Sequence, residues 1–222
     1  MPATISNSSG IRSGQRGYSL IELLVVVAII MVMCAVAIPY IYSYKSMFKS
    51  EIQSKTIMDL IREANQLSLN QRRTFRMEID ITASRIHLID ENGEIGAGDD
   101  TVVKSIPIEP TGILRMDAAP SGIVRPTPPN YNNAVFAADA IGHLEDGVVK
   151  TGNTVLAFRL RSDGAVVNAS NTPISLTLFV YPPVSASSDI PTDKKQVRAI
   201  TIYGGSGAVR YFRYNGTSFS AS

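Results

Sequence analysis

Glu22 is the one charged residue inside LIELLVVVAIIMVMCAVAI, the run from Leu20 to Ile38. A carboxylate at the centre of a bilayer costs about 2.5–3.5 kcal/mol on insertion scales, so it needs a compensating partner. A cut just before Tyr18 would create one, because the new α-amine lies four residues ahead of Glu22 and one helix puts both on the same face. A staggered neighbouring copy could offer its own amine to that carboxylate, which turns a burial penalty into an assembly contact. The competing reading leaves Glu22 solvated at headgroup level.

Other residue groupings fall short of a reaction. Asp90, Asn92 and Glu94 stand at the first, third and fifth positions of a calcium-type loop, but Ile95 takes the place of its glycine and Thr101 that of its bidentate glutamate. His87 and His143 are the two histidines, and Cys34 is the one cysteine, so neither a zinc nor a thiol site is assembled by spacing. His87 reads as a strand residue. No Gly-x-Ser-x-Gly elbow occurs, and Gly204-Gly205-Ser206-Gly207 lacks the lysine of a phosphate-binding loop. The expectation is a chain with no catalytic residues, no cofactor and no metal. Lys194, Lys195, Arg198, Arg210 and Arg213 are interleaved with Tyr203, Tyr211, Phe212 and Tyr214. Such a cluster suits DNA, cations meeting phosphates and rings stacking on bases. A solvated strand face is the favoured reading of it, with Asp189 and Asp193 partly offsetting the charge.

The elements that must carry these residues follow from periodicity. Residues 1–17 are polar and rich in glycine and serine, a leader without a packing face. From Tyr18 to Pro39 a helix rising about 1.5 Å per residue covers about 30 Å, the thickness of a hydrocarbon core, which marks an anchor. Ile57, Leu60, Ile61, Ala64 and Leu67 then repeat at helical spacing, with Arg62, Glu63, Asn65, Gln66 and Asn70 opposite. The simplest reading is one long helix, in lipid over 18–39 and soluble over 40–72, kinked at Pro39. A β-rich head occupies 73–222. Its first strand alternates Phe75, Met77, Ile79 and Ile81 with Thr74, Arg76, Glu78 and Asp80, the pattern of a half-buried strand. Ile86 and Leu88 continue it beyond a break, and Asp90 to Glu94 supply turn chemistry. Further strands fall around 156–161, 174–180, 198–203 and 209–214, whereas Pro107 to Asn133 and Pro182 to Asp193 read as irregular surface loop. The layout is α+β, a helix against an antiparallel sheet.

The 222 residues carry a net charge of +2, and without Arg12 and Arg16 a chain beginning at Tyr18 has 19 basic and 19 acidic residues. That balance alone does not mark a nucleic-acid-binding protein. A lone cysteine leaves the fold without an internal disulfide. Orientation is a tie by charge, with Arg12, Arg16 and the Met1 amine on one side of the anchor and Lys45, Lys49 and Lys55 on the other.

The segment Gly17-Tyr18-Ser19-Leu20-Ile21-Glu22-Leu23-Leu24-Val25-Val26 resembles the class III signal of type IV prepilins and type II secretion pseudopilins. The resemblance implies that a prepilin peptidase cuts after Gly17 and methylates Tyr18, and that Glu22 and Pro39 serve assembly. Tyr18 stands where phenylalanine is usual. Ala64 to Arg73, Phe158 to Gly164, Ile200 to Tyr203 and Gly207 to Arg210 more loosely resemble the H-type pseudopilin and FimT minor-pilin subfamily. That implies a long helix packed on an antiparallel sheet in the type IV pilin-like manner. It further implies a minor subunit of a secretion or pilus fibre, with prepilin peptidase, other pilin or pseudopilin subunits, an inner-membrane assembly platform and membrane lipid as partners. The implied location is the bacterial inner membrane, single-pass, with a periplasmic head that later enters a periplasmic or cell-surface fibre. Some members of that subfamily bind DNA through a basic C-terminal region. A DNA-binding minor pilin and a non-polymerising anchored periplasmic domain therefore stand as alternatives.

Overall fold

The computed structural model describes residues 18–92, 100–145 and 147–221, with the side chains of 39–47 excepted. The leader, Gly17 and residues 93–99 of the acidic loop lie outside the described residues. The chain divides into two compact units, one ending at Ser43 and the other running from Tyr44.

One helix, α1 (Leu20–Gln71), crosses that division and continues through Pro39. Within it Leu20–Ile38 forms 19 residues of mean hydropathy 3.0, none of them buried, long and apolar enough to cross a membrane. The helix ends where Arg72 turns left-handed at φ 54° and a strand-period sequence begins at Phe75.

The strands of the second unit are β1 (Phe75–Asp80), β2 (Arg85–Asp90), β3 (Thr101–Pro107), β4 (Asn132–Asn133), β5 (Ala137–Ala138), β6 (His143–Glu145), β7 (Val148–Lys150), β8 (Thr154–Leu160), β9 (Val166–Val167), β10 (Leu176–Val180), β11 (Arg198–Ile202), β12 (Val209–Tyr214) and β13 (Phe219–Ala221). Among the described residues they form two main sheets and a ribbon, where the sequence suggested one sheet. The first runs β3-β2-β1-β8-β5 with β9 also on β8, and the second runs β13-β12-β11-β10-β4. Among the described residues the short β4 alone pairs in parallel, with β10, and β6 and β7 make a separate two-stranded ribbon.

Both sheets contribute to one core with α1. Ile57, Leu60, Ile61 and Ala64 pack with Phe75, Met77, Ile79, Ile86 and Leu88 of the first sheet and Leu176, Leu178, Val180, Ile200 and Ile202 of the second. Leu67, expected on this face, is partly buried against the cluster. Buried Ser50 and Ser54 let the helix approach closely, and Ser50 Oγ donates to the Gln196 carbonyl at 3.1 Å. Across the second sheet, Ile123, Phe179, Tyr181, Val197, Ala199 and Phe212 form a smaller cluster.

Two sequence expectations change here. The strand of Arg76, Glu78 and Asp80 is buried on both faces rather than one. Its polar face is covered because the middle of the chain folds over it, and the charges survive there by pairing with one another. Likewise the stretch from Pro107 to Asn133 is largely irregular but not all surface: Leu114 and Met116 enter the main core and Ile123 the smaller one.

Candidate functional site

At the start of α1, Ser19 Oγ accepts from the Glu22 amide at 3.2 Å, and the Ser19 carbonyl accepts from Leu23. Ser19 thus caps the helix, and Ser19-Leu20-Ile21-Glu22 has the spacing of a capping box, a signal legible in the sequence and missed there. The cap fixes Glu22 at the third helical position, in the first turn, where the helix dipole favours a negative side chain. Tyr18 is 84% exposed immediately before the cap. Pro39 lies within α1, and its side chain is outside the described residues.

The basic cluster is divided by the fold. Lys194 and Lys195 sit on a 3-10 turn (Lys194–Gln196) capped by Asp193, whose carboxylate accepts from the Lys195 amide at 2.9 Å. Arg198 is buried, donating to the Lys195 and Val197 carbonyls at 2.7 and 3.1 Å. It faces its strand partner Arg213 across β11 and β12, and both guanidinium groups turn to Glu51 of α1, Arg198 at 3.8 Å and Arg213 in direct hydrogen-bond contact. Burial alone would raise the Glu51 carboxyl, but the hydrogen bond from Lys55 and the charges of Arg213, Lys55 and Arg198 outweigh it and hold the carboxyl below the ordinary glutamate range. Arg213 also lies over the Tyr211 ring at 5.9 Å. These two arginines therefore fasten the second sheet to the helix. Arg210, three residues earlier on β12, belongs to the opposite strand face and lines a cavity of about 280 Å³ with Tyr131 and Tyr203.

A third group of charges lies on the covered face of the first sheet. Arg76 donates to Asp100 at 2.7 Å and to the Gly142 carbonyl at 2.6 Å, and Arg159 donates to both Glu91 oxygens at 2.7 Å. Arg73 takes Asp90 at 3.1 Å. Of the residues that suggested calcium, Asp90 and Asn92 both accept from Arg73, at 3.1 and 3.4 Å, and Glu94 lies outside the described residues. Beside them Glu78, paired with His87 across β1 and β2, stands 3.2 Å from His143 Nδ1. No partner for His143 was legible in the sequence, since the ribbon that delivers it carries no strong periodic signal.

Residues 12–38 match the prokaryotic N-terminal methylation motif. The match spans Gly17, Tyr18, Ser19 and Glu22 and ends with the apolar run. The chain thus carries a type IV pilin-like prepilin signal, and its apolar N-terminal helix fits membrane anchoring of a prepilin-like protein. No curated protein and no solved structure matches the chain.

Proposed function

We propose that the chain is a structural minor subunit, a pseudopilin or minor pilin, of a type II secretion or type IV pilus fibre. Prepilin peptidase cuts it after Gly17 and methylates Tyr18, and the apolar helix assembles it with other subunits after extraction from the inner membrane. The observation that carries this reading is the pairing of the methylation signal with Leu20–Ile38, nineteen helical residues, apolar but for Glu22, of which none is buried by the rest of the chain. A helix that is apolar all round requires a non-aqueous environment, either lipid or the matching helices of neighbouring subunits. The head supplies packing and surface rather than chemistry, and the chain is not an enzyme.

The test is intact-mass and N-terminal peptide analysis of the protein from its own membranes, with and without an active peptidase. A chain beginning at methylated Tyr18, found only with the peptidase, is the expected result. Retention of residues 1–17, or a cut elsewhere, would leave an anchored domain and overturn the reading.

A second reading, DNA binding by the head, rests on Arg210 beside the stacked Tyr131 and Tyr203 rings, 6.0 Å apart. Arg198 and Arg213 lend it little, since both are directed to Glu51. Salt-dependent DNA binding that disappears on Arg210→Ala would favour it.

A further inference from the structure

We propose that Glu78, Asp139 and His143 bind a divalent transition-metal ion of the zinc class, which pins the β6–β7 ribbon to the first sheet. One ligand atom from each of these residues lies within 4.8 Å of the others, and all three residues are buried. They come from separate parts of the chain, β1, the turn after β5, and the start of β6.

Hydrogen bonding does not account for Glu78 and His143. Neither Glu78 oxygen and neither His143 nitrogen has a hydrogen-bond partner among the described residues. Glu78 Oε1 and His143 Nδ1 are 3.2 Å apart without the alignment of an N–H···O bond. A tetrahedral ion with bonds of about 2.0–2.1 Å places two of its ligand atoms about 3.3 Å apart, so the approach suits two ligands of one ion. A Glu78–His143 ion pair explains only part of the arrangement. It leaves His143 Nε2 unbonded and does not involve Asp139, a second carboxylate in the same spot that accepts from backbone amides.

The turn that presents Asp139 and His143 is set before any ion arrives. Asp139 Oδ1 accepts from the Ile141 and Gly142 amides at 3.1 and 2.9 Å. Gly142 is left-handed at φ 77°, and a Cβ there would meet the Lys150 carbonyl oxygen at 2.4 Å. Arg76 holds the Gly142 carbonyl from below. Of the three residues His143 also lines a cavity of about 310 Å³, together with His87, Asp80, Glu145 and Lys150. An imidazole with two carboxylates matches the charge of a divalent ion, and the nitrogen ligand favours zinc, nickel or iron over magnesium or calcium.

The experiment uses the full chain in detergent micelles, stripped of metal by a chelator and titrated with Zn²⁺ against a chromophoric competitor, then with Co²⁺ to read its visible d–d bands. Expected are about one ion per chain, a melting temperature raised by Zn²⁺, and low-symmetry Co²⁺ bands. Asp139→Asn keeps an oxygen to accept from the Ile141 and Gly142 amides, so the turn survives while a charged ligand is lost. Affinity should fall by more than the roughly 10–100-fold that a mere supporting residue costs, with the metal-free melting curve unchanged. Glu78→Gln should behave alike, and if it fails to fold Asp139→Asn decides alone. A parent chain that binds neither ion, or an Asp139→Asn chain that binds both as tightly as its parent, overturns the proposal.

Discussion

Ser19 and Glu51 each act through one or two atoms. Ser19→Ala removes the acceptor of the Glu22 amide and should cost about 1 kcal/mol of local helix stability. Faster hydrogen exchange at Glu22 in micelles, with exchange at Ile57 and Leu60 unchanged, is the expected readout. Glu51 predicts a pH effect of definite sign. Its carboxyl sits below the ordinary glutamate value in the folded chain, so it binds a proton more readily once unfolded. Its stabilising contribution is therefore complete above the unfolded value of about 4.3 and is lost as pH falls through the lower folded value. Glu51→Gln should melt lower than the parent at neutral pH, and the gap should close on acidification below about pH 4. A gap that stays constant into acid would mean that Glu51 contributes by packing and not by charge.

At the scale of elements, the helix and its turns are joined through Asn65. Asn65 Nδ2 reaches the Ser206 carbonyl at 3.4 Å, and Gly207, left-handed at φ 63°, would place a Cβ 2.5 Å from that nitrogen and 2.8 Å from the Gly164 carbonyl oxygen. Gly207→Ala should cost about 1–3 kcal/mol from backbone conformation and crowding together. Adding Asn65→Ala should return part of that loss, a coupling that a double-mutant cycle of melting temperatures measures. On the same helix Ile61 is fully buried and Ile52 is 62% exposed. Ile61→Ala should cost about 2–5 kcal/mol and Ile52→Ala less than about 0.5 kcal/mol. Ile61 illustrates what the sequence made legible, because helical spacing in α1 and strict alternation in β1 each follow from a single face meeting the core. Arg76, Glu78 and Asp80 illustrate the rest. Their alternation marks a polar face, but whether water or other polar side chains meet it depends on contacts with residues 100 and 142–143, far along the chain, to which local periodicity is blind. The same holds for the split of the basic cluster: Arg198 and Arg213 look like solvent-facing charge until Glu51, about 150 residues earlier, is brought beside them.

For the whole molecule the deciding residue is Glu22, since neither the length and apolarity of the helix nor the packing of the head depends on a carboxylate there. If the chain is only an anchored domain, Glu22→Gln should be silent or improve insertion slightly, because a charge costing up to about 3 kcal/mol in lipid has been removed. A fibre subunit responds differently. Cutting frees the Tyr18 amine four residues from Glu22, and amine and carboxylate from neighbouring copies then neutralise each other where water is excluded. Removing one partner leaves the other charge buried and unpaired, a penalty of about 3–5 kcal/mol for each contact, several hundredfold or more in an assembly constant. The Glu22→Gln chain should therefore still appear as mature Tyr18-started protein in membranes, at parental abundance, and be depleted from sheared fibres by at least tenfold. Quantitative peptide mass spectrometry of the two fractions reads both quantities at once. Equal representation of parent and variant in the fibre fraction would remove Glu22 from assembly and leave the exposed apolar helix alone to explain how subunits associate.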